Sequence, residues 1–179
     1  MRGIAVVVLG VLTASCASKA VPQPFPSPGS TRPPVSAPAP GAAAGERPAD
    51  SPAIVGDRIA ALALTYRGVP YRNGGDDPSG FDCSGFVQYV LAKFGERVPR
   101  QTRAQFGAGA AVDKDAIQAG DLVFFSTVAP GASHVGIALD GDEFVHAPSS
   151  RGVVRVESLN TAYWRTRFIG ARRVTAAAN

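Results

Sequence analysis

The side chains best suited to covalent chemistry in this 179-residue chain are one cysteine, Cys83, and the two histidines, His134 and His146. A thiolate that attacks a carbonyl carbon needs a base that takes the thiol proton and later returns it to the leaving group, and an imidazole can do both. We predict Cys83 as the nucleophile, His134 as the general base and acid, and His146 as the group that fixes the tautomer and orientation of His134.

Cys83 is predicted to lie at or near the first turn of a helix. Apolar residues at helical spacing follow it at positions 86, 87, 90, 91 and 94, and Gly95 ends the pattern. Unpaired N–H groups and the helix dipole favour negative charge at that end. We therefore expect the thiol pKa to fall toward neutrality and an oxyanion to be held there. The alternative is a buried, unreactive cysteine that fills the core.

The turn at 140–142 decides whether the two histidines meet. A two-residue loop would place their side chains on opposite faces of a hairpin. A three-residue loop pairs His146 with Gly136 and places His134 on the same face, about 7 to 8 Å away at the backbone, where one imidazole can orient the other. Two alternatives stay open: either histidine could be a satisfied core or edge residue, or Cys83 and both histidines could bind zinc, although a fourth ligand at a recognisable spacing is lacking.

The elements that must position these residues are two helices followed by β-type runs. Ser51-Pro52 is a cap and first-turn pair for a helix whose apolar spacing continues to Tyr66. Short runs rich in β-branched and aromatic residues follow at 122–125, 135–139, 144–146, 153–156 and 167–169. We predict an α+β domain over residues 53–179, with N-terminal helices packed on one face of a roughly five-stranded antiparallel sheet.

The beginning of the chain has the pattern of an export signal. Residues 1–15 are predicted to be a signal peptide, because a short charged start precedes the apolar stretch 4–12, which is about half as long as a membrane span. The sequence Leu-Thr-Ala-Ser-Cys at 12–16 resembles a bacterial lipobox, with Thr13 where leucine is usual, and predicts lipidation of Cys16. An ordinary cleavable signal with an incidental cysteine is the alternative.

Residues 16–52 are predicted to be a lipidated N-terminus followed by a disordered tether. Pro, Ala, Ser and Gly dominate the segment, and large apolar groups are too few to offset the entropy of folding. An extended tether could hold the domain up to roughly 110 Å from its anchor. The composition excludes other classes: a total of 2 cysteines is too few for a disulfide scaffold, and the net charge of +4 lacks the basic cluster that nucleic acid requires.

The domain resembles the NlpC-type cell-wall peptidases, which are papain-like cysteine hydrolases that cut the peptide stems of peptidoglycan. The motifs that carry the resemblance occur in order as Asp-Cys-Ser-Gly-Phe-Val (82–87), Val-Pro-Arg (98–100), Ala-Gly-Asp-Leu-Val-Phe-Phe (119–125), Ser-His-Val-Gly-Ile (133–137) and Phe-Val-His-Ala (144–147). The resemblance implies a papain-like fold in which Cys83 and His134 are catalytic and His146 is the third polar residue.

The resemblance also implies substrate-binding roles near the nucleophile. Tyr71 matches a tyrosine that lines the family's site, and Asp82 and Ser84 flank Cys83, where they could contact the substrate. Other roles stay open for two of them. Tyr71 could pack on the first helix, and Asp82 could serve only as a helix cap.

The function expected from these features is peptidoglycan endopeptidase activity through a thioester acyl-enzyme, without metal or another cofactor. The alternatives are a catalytically silent peptidoglycan-binding module, and an acyltransferase or amidase on the same scaffold. The bond cut could be the D-glutamyl to diamino-acid bond or the cross-link between stems.

The expected partners are peptidoglycan peptide stems and the membrane that would hold a lipidated Cys16, and we expect a monomer. The lipobox and tether favour an outer-membrane lipoprotein that faces the periplasm. A lipoprotein on the outer face of a Gram-positive membrane is the alternative location.

Overall fold

The computed structural model describes residues 51–150 and 152–175. The predicted signal peptide, the lipidation site at Cys16 and nearly all of the predicted tether lie outside the described residues. Within those two ranges, no helix is long and apolar enough to cross a membrane.

Two longer and two single-turn α-helices occur in the described ranges: Pro52–Leu64 (α1), Cys83–Ala92 (α2), Thr102–Gln105 (α3) and Ala162–Arg165 (α4). A 3₁₀ helix spans Lys114–Ala116. The cap of α1 is the predicted one, because the Ser51 side chain accepts a hydrogen bond from the N–H of Ile54 at 3.5 Å. The longer pair confirms the two predicted helices. The sequence does not predict α3 and α4, since four residues are too few to show a helical repeat.

The strands of the same two ranges form a short hairpin and a six-stranded antiparallel sheet. They are Asp76–Asp77 (β1), Gly80–Phe81 (β2), Ala110–Val112 (β3), Leu122–Phe125 (β4), His134–Ala138 (β5), Glu143–His146 (β6), Arg155–Ser158 (β7) and Phe168–Arg173 (β8). The order across the larger sheet is β3-β8-β4-β5-β6-β7. The predicted α+β fold is confirmed. The larger sheet has one strand more than predicted, β3, a short and mostly exposed edge strand without a buried face to mark it in the sequence.

One strand is displaced from its predicted position for a tertiary reason. The sequence predicts a strand at 153–156, and the structure places it at Arg155–Ser158. Val153 instead forms an isolated bridge with Pro70, and the N–H of Val154 donates to the carbonyl oxygen of Val69 at 2.8 Å. The chain therefore pairs first with the loop after α1 and only then with β6, a choice of partner that a local pattern does not encode.

The central strands of the sheet are buried on both faces. Every residue of β4 and β5 is buried. On one face, Val135 and Ile137 pack against α1 and α2 in the larger apolar cluster. On the other face, a smaller cluster is covered by α4 and contains Val123, Phe125, Ala138, Phe144, Leu159, Trp164 and Ala171. This two-sided burial holds β5 rigidly beside the helix that carries the cysteine.

Candidate active site

Cys83 is the first residue of α2, as the sequence predicts. Asp82 caps the helix, because its Oδ1 accepts a hydrogen bond from the N–H of Gly85 at 2.7 Å. Gly85 lies so close to the preceding loop that a Cβ would collide with the carbonyl oxygen of Gly75. The end of the helix is therefore fixed in place. The Cys83 thiol that it carries is free and partly buried.

Groups from two other elements lie near the Cys83 sulfur. Its Sγ lies 3.6 Å from Oγ1 of Thr102, the first residue of α3. The backbone N–H of Val135 on β5 also lies near the sulfur. Thr102 was not among the residues selected from the sequence, because nothing in its local pattern shows that α3 folds back onto the helix N-terminus.

Burial raises the pKa of the Cys83 thiol above its usual value. The hydrogen bonds from Thr102 and from the N–H groups of Val135 and Ser84 lower it, but they do not offset the loss of water around the sulfur. The expectation that the thiol pKa falls toward neutrality is therefore wrong for the resting site. The resting cysteine is a neutral thiol, and it needs a base to become a nucleophile.

The two histidines meet across the hairpin formed by β5 and β6. The register pairs Ile137 with Val145, so a three-residue loop joins the strands, and this is the alternative that places both histidines on one face. His134 Nε2 and His146 Nδ1 lie 2.7 Å apart. Glycine at 136 leaves room on this face, since a Cβ there would lie 2.6 Å from the Phe144 ring and 3.2 Å from the Cβ of His146.

The hydrogen bond between the histidines uses Nε2 of His134 and leaves its Nδ1 for the thiol. Nδ1 is the ring nitrogen nearer to the backbone, and the next N–H along the chain, that of Val135, lies near Sγ of Cys83. No hydrogen bond joins the thiol and the imidazole among the described residues.

One tautomer of the histidine pair suits base catalysis. If Nδ1 of His134 is to accept a proton, its Nε2–H must donate to Nδ1 of His146, and the second proton of the pair then sits on Nε2 of His146. That nitrogen is buried and has no hydrogen-bond partner within the described part of the chain.

Both imidazoles are neutral at pH 7. Burial lowers the pKa of His134 to about 4. Burial also lowers the pKa of His146 to about 2, with smaller contributions from the positive charges of His134 and Arg155. A neutral imidazole is the form that can accept a proton.

Trp164 on α4 encloses the histidine pair. Its ring stacks on His134, with the centroids 5.4 Å apart and the planes 23° from parallel. It meets His146 edge to face at 5.1 Å. The indole N–H donates to the Glu157 carboxylate on β7. The sequence motifs do not include Trp164. The one available signal is that it is the single tryptophan of the chain.

Asp82 serves as more than a cap, because Arg100 from the Val-Pro-Arg motif binds its carboxylate at both oxygens. The guanidinium nitrogens lie 2.9 and 2.6 Å from Oδ1 and Oδ2. Arg100 also donates to Oγ of Ser84 at 2.9 Å. Burial alone would raise the pKa of Asp82, but the hydrogen bonds from Arg100 and from the N–H of Gly85 outweigh it and lower the pKa. The helix carrying the cysteine is thus tied to the chain beyond its C-terminal end.

Replacing Arg100 by Leu is expected to lower the free energy of unfolding by about 1 to 2 kcal/mol, because a half-buried carboxylate would lose its bidentate partner. The value lies below that of a fully buried pair, since the Arg100 side chain is 34% exposed. Urea denaturation measures it. The matched control is Arg72→Leu, which breaks the exposed pair with Asp77. Equal midpoints for the two variants would contradict a structural role for Arg100.

Tyr71 lies close to the cysteine, as the resemblance implies. Burial raises the pKa of its phenol, and the charges of Cys83 and Asp82 raise it further, which places all three in one electrostatic neighbourhood. Tyr71 also packs against the larger apolar cluster, so the structural alternative is observed together with proximity to the site. Ser84 is only 6% exposed and donates to Asp82, which directs its hydroxyl inward.

The zinc alternative for Cys83 and the two histidines finds no support in the geometry. Across 51–150 and 152–175, no group of three or more His, Cys, Asp or Glu side chains is arranged to hold a metal ion.

Comparison with known proteins gives a consistent assignment. The NlpC/P60 family matches residues 68–173. The chain is 43% identical over 112 residues to the probable endopeptidase NlpC of Escherichia coli K12, covering 62% of this chain and 72% of the relative. It is 42% identical over 121 residues to the murein DD-endopeptidase MepS/murein LD-carboxypeptidase of the same strain, covering 67% and 63%. The match thus spans just under two thirds of the MepS relative's length.

Solved structures share the fold. The NlpC/p60 domain of the peptidoglycan hydrolase SagA is 41% identical, with a TM-score of 0.57 and coverage of 65% of this chain and 97% of that one. RipD of Mycobacterium tuberculosis, described as a non-catalytic NlpC/p60 domain protein adapted to peptidoglycan binding, is 26% identical, with a TM-score of 0.57 and coverage of 67% and 97%.

The matched range contains Tyr71, the capped cysteine helix and both histidines. The prediction of an enzyme of the NlpC-type cell-wall peptidases is confirmed at the level of the family. Because the family match covers more than half of the chain and agrees with the fold of the solved relatives, the chain belongs to the NlpC/P60 family.

Proposed function

We propose that the chain is a peptidoglycan endopeptidase in which Cys83, His134 and His146 form the catalytic triad. The observation that carries the proposal is the 2.7 Å contact between the histidines, which engages Nε2 of His134. In the proposed arrangement, Nδ1 of the same ring acts on the Cys83 thiol. The names of the two Escherichia coli relatives, both endopeptidases, support the substrate class.

In this mechanism the resting site is a neutral thiol beside a neutral imidazole. As Sγ of Cys83 attacks the scissile carbonyl carbon, Nδ1 of His134 takes the thiol proton. The C–N bond then breaks, the same proton passes to the leaving amine, and a thioester remains on Cys83. Water, deprotonated by His134, attacks the thioester, and the acid product leaves as the thiol is restored.

His146 stabilises the charged intermediate of this cycle. When His134 becomes an imidazolium, its Nε2–H continues to donate to Nδ1 of His146, so the ring keeps its orientation through both half-reactions. The N–H groups of Cys83 and Ser84 in the first turn of α2 are the donors that we assign to the oxyanion, since that end of the helix favours negative charge.

Substrate contacts are proposed for Tyr71, Asp82 and Ser84. A phenol with a raised pKa remains a neutral hydrogen-bond donor beside the thiol. The Asp82 carboxylate already binds Arg100 and the N–H of Gly85, so it presents only its remaining acceptor positions to a substrate. Ser84 is the most enclosed of the three and acts mainly through its bonds to Asp82 and Arg100.

Anchoring and location are also proposals. A chain lipidated at Cys16 and held on the Pro-rich tether would act as a monomer at the cell envelope, on the periplasmic side of an outer membrane. The sequence of residues 1–52 supports this location, and relatives named as murein and probable endopeptidases agree with the envelope as the place of action.

Digestion of purified peptidoglycan by the chain, with every product identified by mass spectrometry, tests the activity. We expect new peptide ends without loss of stems from the sugar, and no products from a Cys83→Ala blank. Stems released from the sugar would indicate an amidase, and products joined to a new amine would indicate an acyltransferase. Binding of the wild type without any products would favour the silent module, the role described for RipD.

A further inference from the structure

A cleft lies beside His134, and none of the residue roles proposed above involves it. Its larger part is a cavity of about 520 Å³ lined by Pro148, Ser150, Glu157, Thr161, Tyr163 and Trp164. A smaller cavity reaches His134 and shares Pro148, Ser150, Tyr163 and Trp164 with the larger one. The two cavities therefore adjoin along these four residues, and we call the pair the cleft.

We propose that this cleft is the subsite for the amine half of the cleaved peptide. The inference rests on the proposed function, in which His134 delivers its proton to the leaving amine. The atom that receives this proton must lie beside the imidazole, and the cleft is the depression that His134 itself lines. Tyr71, Asp82 and Ser84 do not line it, so the acyl half and the amine half have separate sets of residues.

The size and lining of the cleft fit a short peptide rich in N–H donors. A cavity of about 520 Å³ lies within the range of small-ligand sites, roughly 300 to 1,000 Å³. Ser150 and Thr161 provide hydroxyl acceptors. Glu157 uses one oxygen for Arg155, at 3.0 Å, and the other for the indole of Trp164, which leaves further acceptor positions for an amide N–H or an ammonium.

Tyr163 is the exposed aromatic residue of the cleft wall. Half of its surface is open to solvent, although aromatic side chains of this size are usually buried. The ring is held edge to face on Trp164 at 4.8 Å, and the Arg167 guanidinium lies 4.0 Å from its centroid. A rigid, half-open aromatic ring in a cleft wall is typical of residues that dominate binding energy.

The test compares two substrates that share one acyl half. One carries an amine half of two amino-acid residues, and the other carries only p-nitroaniline as the leaving amine. We expect the wild-type chain to prefer the longer substrate in kcat/KM, and Tyr163→Ala to reduce this preference about tenfold. The matched control is Arg167→Ala, which removes the partner of the Tyr163 ring without changing the cleft wall, and we expect it to keep the wild-type preference.

Two kinetic outcomes overturn the subsite: an unchanged preference in Tyr163→Ala, or an equal reduction in Arg167→Ala. A binding measurement separates this failure from failure of the proposed function. Calorimetry with the Cys83→Ala chain and the free amine-half peptide should show binding that Tyr163→Ala weakens about tenfold, whether or not the wild type hydrolyses either substrate. Absence of binding to the Cys83→Ala chain also overturns the proposal.

Discussion

Replacement of His134 by Ala is expected to reduce kcat/KM for peptide hydrolysis by about 10³- to 10⁴-fold. The cause is the resting state of the nucleophile, since burial keeps the Cys83 thiol protonated at neutral pH. Without Nδ1 of His134, neither the thiol nor the leaving amine has a group that can exchange its proton. Steady-state kinetics on a stem peptide, with folding checked by circular dichroism, measure the effect.

The same variant should also slow the reaction of Cys83 with a thiol-directed probe at pH 7, because that reaction needs the thiolate. Residues that act as one unit are not additive, so Cys83→Ala combined with His134→Ala should be no less active than Cys83→Ala alone. A labelling rate that His134→Ala leaves at the wild-type value would show that the imidazole does not act on the sulfur, and would support the silent module.

The position of the nucleophile could be predicted from the sequence because its determinants are local. An aspartate before the cysteine and apolar residues at helical spacing after it specify both the cap and the helix. For the hairpin that carries the histidines, the sequence allows two registers, one with a two-residue loop and one with a three-residue loop. Loop length decides between them, and the turn residues allow either length, so the contact between His134 and His146 emerges from the fold.

The residues that sequence reasoning missed all act across long separations in the chain. Thr102 reaches the sulfur from α3, and Trp164 reaches the imidazoles from α4. Both helices have four residues, so no periodicity marks them. The wrong expectation for the thiol pKa has the same origin. A helix N-terminus is visible in a sequence, whereas the burial that outweighs it is a property of the assembled domain.

The two faces of the sheet contribute different parts of the site. Val135 packs into the cluster shared with α1 and α2, and its N–H lies near the sulfur. His134, the preceding residue, lies on the opposite face, where Trp164 and His146 enclose its ring. Successive side chains of β5 point to opposite faces of the sheet. One face therefore packs on the helix that carries the nucleophile, and the other holds the ring of the base against the smaller cluster.

Burial of the histidine pair is expected to make the domain unstable in acid. The unfolded chain binds a proton at each histidine near pH 6.5, whereas the folded chain holds the pKa of His134 at about 4 and that of His146 at about 2. The folded-state pKa values are depressed, so the stabilisation is fully present above pH 6.5 and is lost as the pH falls toward them. Between pH 7 and pH 5 each histidine should lower the free energy of unfolding by about 2 kcal/mol.

Urea denaturation at several pH values between 7 and 5 tests this expectation. Asp82 has a lowered pKa and stays ionised through the window, so its loss of charge does not contribute there. The control is a chain with His134→Gln and His146→Gln, which should show a much flatter dependence, because no buried imidazole remains to take up a proton on unfolding. A wild-type decline below about 1 kcal/mol over the same window would show that water or a buried counter-charge reaches the pair. In that case His134 would carry a proton more readily. The resting site would then be a thiolate–imidazolium ion pair formed before the substrate binds, and not a neutral thiol beside a neutral imidazole.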